Sequence, residues 1–311
     1  MNTAFLFPGQ GAQTPGFLHR LPQHPAVAAT LAEAESVLAR PLDGLDSAAA
    51  LSSTVPVQLA TVIAGVAVWR GLCAEGASPD ACAGLSVGAF AAAVACQALA
   101  FDDALRLVQL RAEAMERAFP GGYGMVAVVG LSERQGRRLI DDVAGAGAPL
   151  FLANVNAPAE IVLAGSDVAL GSAIAAAERA GASTRRVATS VPSHCPLLDG
   201  VSEQLRAAIA QVRVARPRIP YVSNHRARAV SDAEGIAEDL IVSVSRTVRW
   251  HDATSLLYEL GCRLFVEPPP GRTLTKLIEA SWPEARALAV EDAPLDATVQ
   301  RILDGATRSA G

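Results

Sequence analysis

The chain has 311 residues, about half of them apolar, and a formal net charge of −5. That length supports a large domain with a smaller one attached and a sizeable buried core. The acidic balance, with no long Lys/Arg block, argues against a nucleic-acid protein.

Five cysteines, Cys73, Cys82, Cys96, Cys195 and Cys262, form no Cys-x-x-Cys pair. This argues against a disulfide framework and against a zinc site, and points to a reducing, cytoplasmic setting. The opening Met1-Asn2-Thr3-Ala4 lacks the basic region of a signal peptide. The apolar run from Val57 to Leu72 is interrupted by Gln58, Thr61 and Arg70, so it reads as a buried helix rather than a membrane span.

In chain order, Ala4–Phe7 reads as a short buried strand leading into the Pro8-Gly9-Gln10-Gly11 loop. Thr54 is the expected N-cap of the next helix, with Pro56 just inside it. Ala81–Ala83 is a strand, and the small residues Val87 to Ala95 form a helix that can lie close to a sheet. Asp102 is expected to cap a helix from Asp103 to about Phe119. Beyond Gly121-Gly122 the pattern changes. Strand Met125–Val129, helix Ser132 to about Val143, strands Phe151–Val155 and Glu160–Ala164, helix Asp167–Ala180 and strand Arg185–Ala188 follow one another. This β-α-β-β-α-β order is that of a ferredoxin-like unit inserted into a larger α/β domain. The expected division is 1–122 with 190–311 for the large domain and 123–189 for the small one. Strand Leu264–Glu267 returns to the large part.

Gly84-Leu85-Ser86-Val87-Gly88 fits Gly-x-Ser-x-Gly between a strand and a helix. Glycines flank the serine because a sharp strand-to-helix turn leaves no room for side chains there. The helix start offers the Val87 N–H to a developing oxyanion. Among five histidines, His194 is held between Pro192 and Pro196, a stiff setting suited to a base. No acid is assignable as a third member. A Ser–His dyad, its imidazole steered by a backbone carbonyl or an amide, stays open.

The helix after Asp102 carries an anomaly. On a 3.6-residue period, Arg111 shares its face with Ala104, Leu107, Val108, Ala114, Met115 and Ala118. The opposite face holds Arg106, Gln109, Glu113, Glu116 and Arg117. A buried guanidinium needs an anion. Arg111 either pairs with an internal carboxylate or receives an anionic substrate group through two parallel hydrogen bonds. A serine nucleophile beside such a clamp points to transfer of an acyl group that bears a carboxylate, of which malonyl is the simplest.

Four separated motifs resemble those of malonyl-CoA:acyl carrier protein transacylases, and the likeness covers nearly the whole chain. They are Phe7-Pro8-Gly9-Gln10-Gly11, the elbow Gly84–Gly88, Arg111 at its distance after the serine, and Pro192-Ser193-His194. The resemblance implies an α/β-hydrolase-like domain with an inserted ferredoxin-like subdomain. It implies Ser86 as the acylated residue, His194 as the base, the Gln10 and Val87 N–H groups as the oxyanion hole, and Arg111 as the carboxylate grip. Leu85, and Met115 one helical turn beyond Arg111, complete the candidate substrate-binding set. No permanently bound cofactor or metal is implied. The substrates are malonyl-CoA and the phosphopantetheine-type arm of an acyl carrier protein. Arg185 with Arg186, or Arg213, Arg216 and Arg218, are candidates for docking an acidic carrier.

Some residues depart from the usual pattern. Leu85 stands where histidine is usual, Ala89 where glutamate commonly follows, and Arg249 where some members carry a glutamine beside the catalytic histidine. Glu267-Pro268-Pro269-Pro270-Gly271-Arg272 replaces a Gly-Pro-Gly loop. Together with Gly-Leu-Ser-Val-Gly-Ala-Phe, this loop resembles the epsilon subunit of bacterial malonate decarboxylase. That reading is favoured here, with other decarboxylase subunits as partners. The alternatives are a transacylase of fatty acid or polyketide synthesis, a serine thioesterase or esterase, and a non-catalytic scaffold subunit.

Overall fold

The computed structural model describes residues 2–144 and 148–307; Met1 and residues 308–311, the outer ends of the larger expected unit, lie outside the described residues. The chain opens with β1 (Asn2–Phe7), α1 (Pro25–Leu38), α2 (Thr54–Ala74), β2 (Ala81–Gly84), α3 (Gly88–Ala95) and α4 (Phe101–Ala118). Next come β3 (Tyr123–Val129), α5 (Glu133–Ala144), β4 (Leu150–Ala157), β5 (Glu160–Ser166), α6 (Asp167–Arg179) and β6 (Ser183–Arg186). The last part holds α7 (Asp199–Ile209), β7 (Tyr221–Val222), β8 (Ala229–Val230), α8 (Ala233–Val242) and α9 (Trp250–Glu259). It ends with β9 (Cys262–Glu267), α10 (Thr273–Ser281), β10 (Arg286–Ala289) and α11 (Leu295–Thr307).

One sheet runs β10-β9-β1-β2-β7-β8 and is parallel except for the short β7–β8 hairpin. The period-2 alternation of β1 explains why helices cover both faces. Phe5 and Phe7 point to a core shared with Leu59 of α2, Phe90 of α3 and Leu105 of α4. Ala4 and Leu6 point to a second core with Leu257 of α9 and Ile278 of α10. Although α2 is long and apolar enough to cross a membrane, most of it is buried inside the fold, as a core helix would be.

The second sheet, β4-β5-β3-β6, is antiparallel and has the ferredoxin-like strand order. Val126 and Val128 of β3 pack with Leu139 of α5 and Leu170 of α6, while Met125 and Ala127 face the other way, beside Cys195. Backbone bonds Val155 N–H to Val248 C=O, 2.9 Å, and Val248 N–H to Ala153 C=O, 2.8 Å, tie this sheet to the larger part.

Three local expectations change. Ser53, not Thr54, is the N-cap of α2, and its hydroxyl does not cap the helix. The carboxylate of Glu116 reaches over from α4 and accepts from the Ser53 hydroxyl at 2.6 Å and from the Thr54 and Val55 N–H groups. One long anionic side chain satisfies several orphan donors at once and complements the helix dipole. Helix α4 begins at Phe101, whose burial draws it into the first turn, so Asp102 lies inside the helix and pairs with Arg106 at 2.9 Å. Strand β6 ends at Arg186, two residues short of the expected Ala188. The chain leaves the sheet there, and Val187 and Ala188 line a cavity instead.

Candidate active site

The cavity holds about 190 Å³ and lies at the carboxyl ends of β1 and β2, where ligands bind in open α/β sheets. Its floor is Gly9, Gln10, Leu85 and Ser86, and Met125, Ala127 and Val162 of the small sheet form the roof. His194 closes one side.

The elbow follows from packing. A Cβ on Gly84 would meet the Gly88 carbonyl oxygen at 2.1 Å, and one on Gly88 would meet the Phe7 carbonyl oxygen at 2.2 Å. Leu85 N–H donates to that same Phe7 oxygen at 2.9 Å, which fixes the turn to β1. Ser86 adopts φ 55°, a strained conformation for a residue with a side chain. Its N–H donates to Asn224 Oδ1 at 2.9 Å. Asn224 is anchored in turn by Asp239, a fully buried carboxylate that accepts from the Asn224 N–H at 2.9 Å, the Tyr221 hydroxyl at 2.7 Å and His225 Nδ1 at 3.1 Å. Burial and the adjacent Asp239 hold the Tyr221 phenol well above its ordinary range, so it stays a donor. Among the described residues, the Gln10 and Val87 N–H groups donate to no protein acceptor, and both lie beside Ser86.

Arg111 is 1% exposed, as its place on the apolar face of α4 requires. No ion pair joins it to a carboxylate among the described residues. Nη1 donates to Gln58 Oε1 at 2.5 Å, Nη2 donates to Ser86 Oγ at 3.2 Å, and Nε is buried without a partner. Desolvation lowers its pKa to about 10, which leaves it charged near neutrality. Gln58 Nε2 lies 3.4 Å from Gln10 Oε1 and 3.5 Å from Met115 Sδ. Met115 therefore reaches the site through Gln58 and packs behind the clamp, whereas Leu85 is on the cavity wall.

His194 is 3% exposed and sits at φ 64°. Its N–H donates to Val244 C=O at 2.7 Å, and Nδ1 lies 2.5 Å from the Ser243 carbonyl oxygen. A carbonyl only accepts, so Nδ1 carries the proton and Nε2 is left as the basic nitrogen. Burial, then repulsion from Arg111, lowers the His194 pKa to about 3, against the opposing pull of Ser243. The imidazole is therefore uncharged near neutrality, with Nε2 unprotonated. No hydrogen bond links it to Ser86, whose hydroxyl is engaged by Arg111 instead.

Other sequence candidates separate. Arg249 does not steer His194; its Nη1 and Nη2 donate two parallel hydrogen bonds to the Glu133 carboxylate of α5, at 3.0 Å to each oxygen, and its Nε donates one to Asp252 at 2.6 Å. Arg185 and Arg186 line the cavity, the latter paired with Asp167 at 2.8 Å. Arg213, Arg216 and Arg218 precede β7, and the Arg218 N–H bonds to Cys96 C=O at 2.9 Å, past the C-terminus of α3. They lie at the opposite end of the parallel sheet from Ser86, because α3 runs away from the elbow. Gln58, Asn224 and Ser243 were not among the sequence candidates. Gln58 had one signal, a lone amide in a run of apolar residues.

The acyl transferase domain model matches residues 4–305. The chain belongs to the acyl transferase domain family. A malonyl CoA-acyl carrier protein transacylase from Salmonella typhimurium is 34% identical over 281 residues, covering 88% of this chain and 91% of that protein. FabD from Acinetobacter baumannii superimposes with a TM-score of 0.93 at 30% identity, over 98% of this chain and 99% of that one. A malonyl-transacylase solved in complex with its type II PKS acyl-carrier protein gives 0.91 at 33% identity, over 98% of this chain and 100% of that one. Membership of this acyl transferase family, with these folds, accounts for the two sheets as one architecture.

Proposed function

We propose that this protein moves a malonyl group from malonyl-CoA to the phosphopantetheine-type thiol of an acyl carrier protein, through a malonyl ester on Ser86. The observation that carries the reading is Arg111: a buried guanidinium with no internal carboxylate, in contact with the candidate nucleophile. A charged group left so is costly unless a ligand completes it. The malonyl carboxylate supplies that partner.

The chemistry follows in two half-reactions. The substrate carboxylate takes the Arg111 guanidinium and releases the Ser86 hydroxyl. His194 Nε2 accepts the hydroxyl proton as Oγ attacks the thioester carbonyl. The Gln10 and Val87 N–H groups receive the oxyanion. The intermediate collapses to the malonyl-serine ester, and His194 returns the proton to the departing coenzyme A sulfur. The carrier thiol then gives its proton to His194, attacks the ester and leaves with malonyl as the steps reverse. Arg185, exposed at the cavity, is our candidate contact for the acidic carrier or the phosphate of its arm. A cytoplasmic setting fits the five free thiols.

Of the two carrier settings, the relatives support a carrier of fatty acid or polyketide synthesis better than the decarboxylase reading favoured from the motifs. The epsilon-subunit reading rests on the Gly84–Phe90 and Pro269–Arg272 segments. Presenting purified carriers of both kinds with malonyl-CoA separates the two. Acceptance by a fatty-acid or polyketide carrier supports our assignment. Release of free malonate without transfer to either carrier would favour a thioesterase.

A further inference from the structure

We infer that Gln58 sets the preference for an acid-bearing acyl group by holding Arg111 in place without neutralising it; this rests on the malonyl reading above. The Gln58 side chain is fully buried on α2, and its Oε1 accepts from Arg111 Nη1 at 2.5 Å. Because a guanidinium only donates, the amide oxygen must face Arg111 and the amide nitrogen must face away. That nitrogen faces Gln10 Oε1 at 3.4 Å and Met115 Sδ at 3.5 Å, so the amide ties the guanidinium to the loop that carries the Gln10 N–H. One side chain thus fixes the distance between the carboxylate grip and the oxyanion donor.

The choice of amide over acid matters. A carboxylate at this position would pair with Arg111 inside the protein, and the guanidinium would have no net charge left to offer. It would also repel an incoming substrate carboxylate in a site with little water to screen it. An aliphatic side chain would leave the charge but lose the tether. Gln58 is therefore a positioning residue with a direct consequence for selectivity, since the amide alone both holds the guanidinium and leaves its charge available.

The test compares wild type, Gln58→Glu and Gln58→Met in acylation of Ser86 by malonyl-CoA and by acetyl-CoA. For Gln58→Glu, kcat/KM with malonyl-CoA should fall roughly 100-fold further than kcat/KM with acetyl-CoA, so that the malonyl preference collapses. For Gln58→Met, malonyl-CoA should lose about tenfold more than acetyl-CoA, mainly in KM. The inference is overturned if Gln58→Glu keeps the wild-type preference, or if Gln58→Met lowers both thioesters equally or neither. Should Gln58→Glu fail to fold, the Gln58→Met comparison decides alone. Failure of the wild type to acylate Ser86 with malonyl-CoA would defeat the malonyl reading itself, whereas a selective wild type with an equally selective Gln58→Glu would defeat only the role of Gln58.

Discussion

Arg111 Nη2 donates to Ser86 Oγ across 3.2 Å, from a helix and an elbow separated by 25 positions in sequence. The contact joins the group that would recognise the acyl chain to the group that would carry it. It also occupies the nucleophile until an anion arrives. Substrate recognition and release of the serine hydroxyl are then the same event.

Removing the guanidinium tests this coupling. Arg111→Ala should lower kcat/KM for malonyl-CoA by about 3–5 kcal/mol, the range for breaking a buried ion pair. Acetyl transfer should be spared or raised, because the hydroxyl is freed and no carboxylate needs a partner. Equal loss with both thioesters would make Arg111 a structural residue.

Arg111 also lowers the pKa of His194, after burial, to about 3. In Arg111→Met that repulsion is gone, so the His194 pKa rises and the imidazole becomes protonated at higher pH. The acidic limb of kcat/KM for acetyl-CoA should therefore move upward from about pH 3 while staying below the ordinary imidazole value of 6.5, because burial, the larger cause, remains. An unmoved limb would disconnect His194 from Arg111 or from the reaction.

Much of this site is visible in the sequence, for physical reasons. Gly84 and Gly88 are required by backbone contacts that exclude a Cβ, and Arg111 breaks a helical period that its neighbours obey. What is hidden is of another kind. The Ser243 carbonyl that orients His194 is a backbone atom with no side-chain signature. Asn224 supports the Ser86 N–H from 138 positions away, a distance no local pattern spans. Glu116 lies on the polar face of α4 as expected, but its capping of α2 depends on how the two helices pack. Arg249 was placed beside His194 by family spacing, whereas the geometry gives it to Glu133.

Arg249→Gln therefore tests the contact between the two sheets' helices rather than catalysis. Both side chains are partly shielded, 31% and 27% exposed. Losing the paired hydrogen bonds should cost about 1 kcal/mol of unfolding free energy in denaturant titration. The pH dependence of transfer should stay as in wild type. A shifted acidic limb would return Arg249 to the orientation of His194.

Glu267 supplies a stability signature. Its carboxyl accepts from the Leu274 N–H at 3.0 Å and from the Thr275 N–H and hydroxyl, at 2.6 and 2.7 Å, at the start of α10. Burial outweighs these donors and raises its pKa from 4.5 to about 7. Between those values the folded protein keeps a proton that the unfolded chain has released. The stabilisation is thus complete below about pH 4.5 and is lost as pH rises through about 7. Relative to Glu267→Gln, wild type should lose on the order of 1–3 kcal/mol across that window. A constant difference between the two would show that Glu267 titrates normally.

Intact-protein and peptide mass spectrometry after brief mixing with malonyl-CoA tests the central claim most directly. We expect one malonyl group on Ser86, absent from Ser86→Ala, and released on adding a carrier protein with its thiol arm. Well-folded protein that gains no malonyl group, or gains it at a residue other than Ser86, would contradict the account.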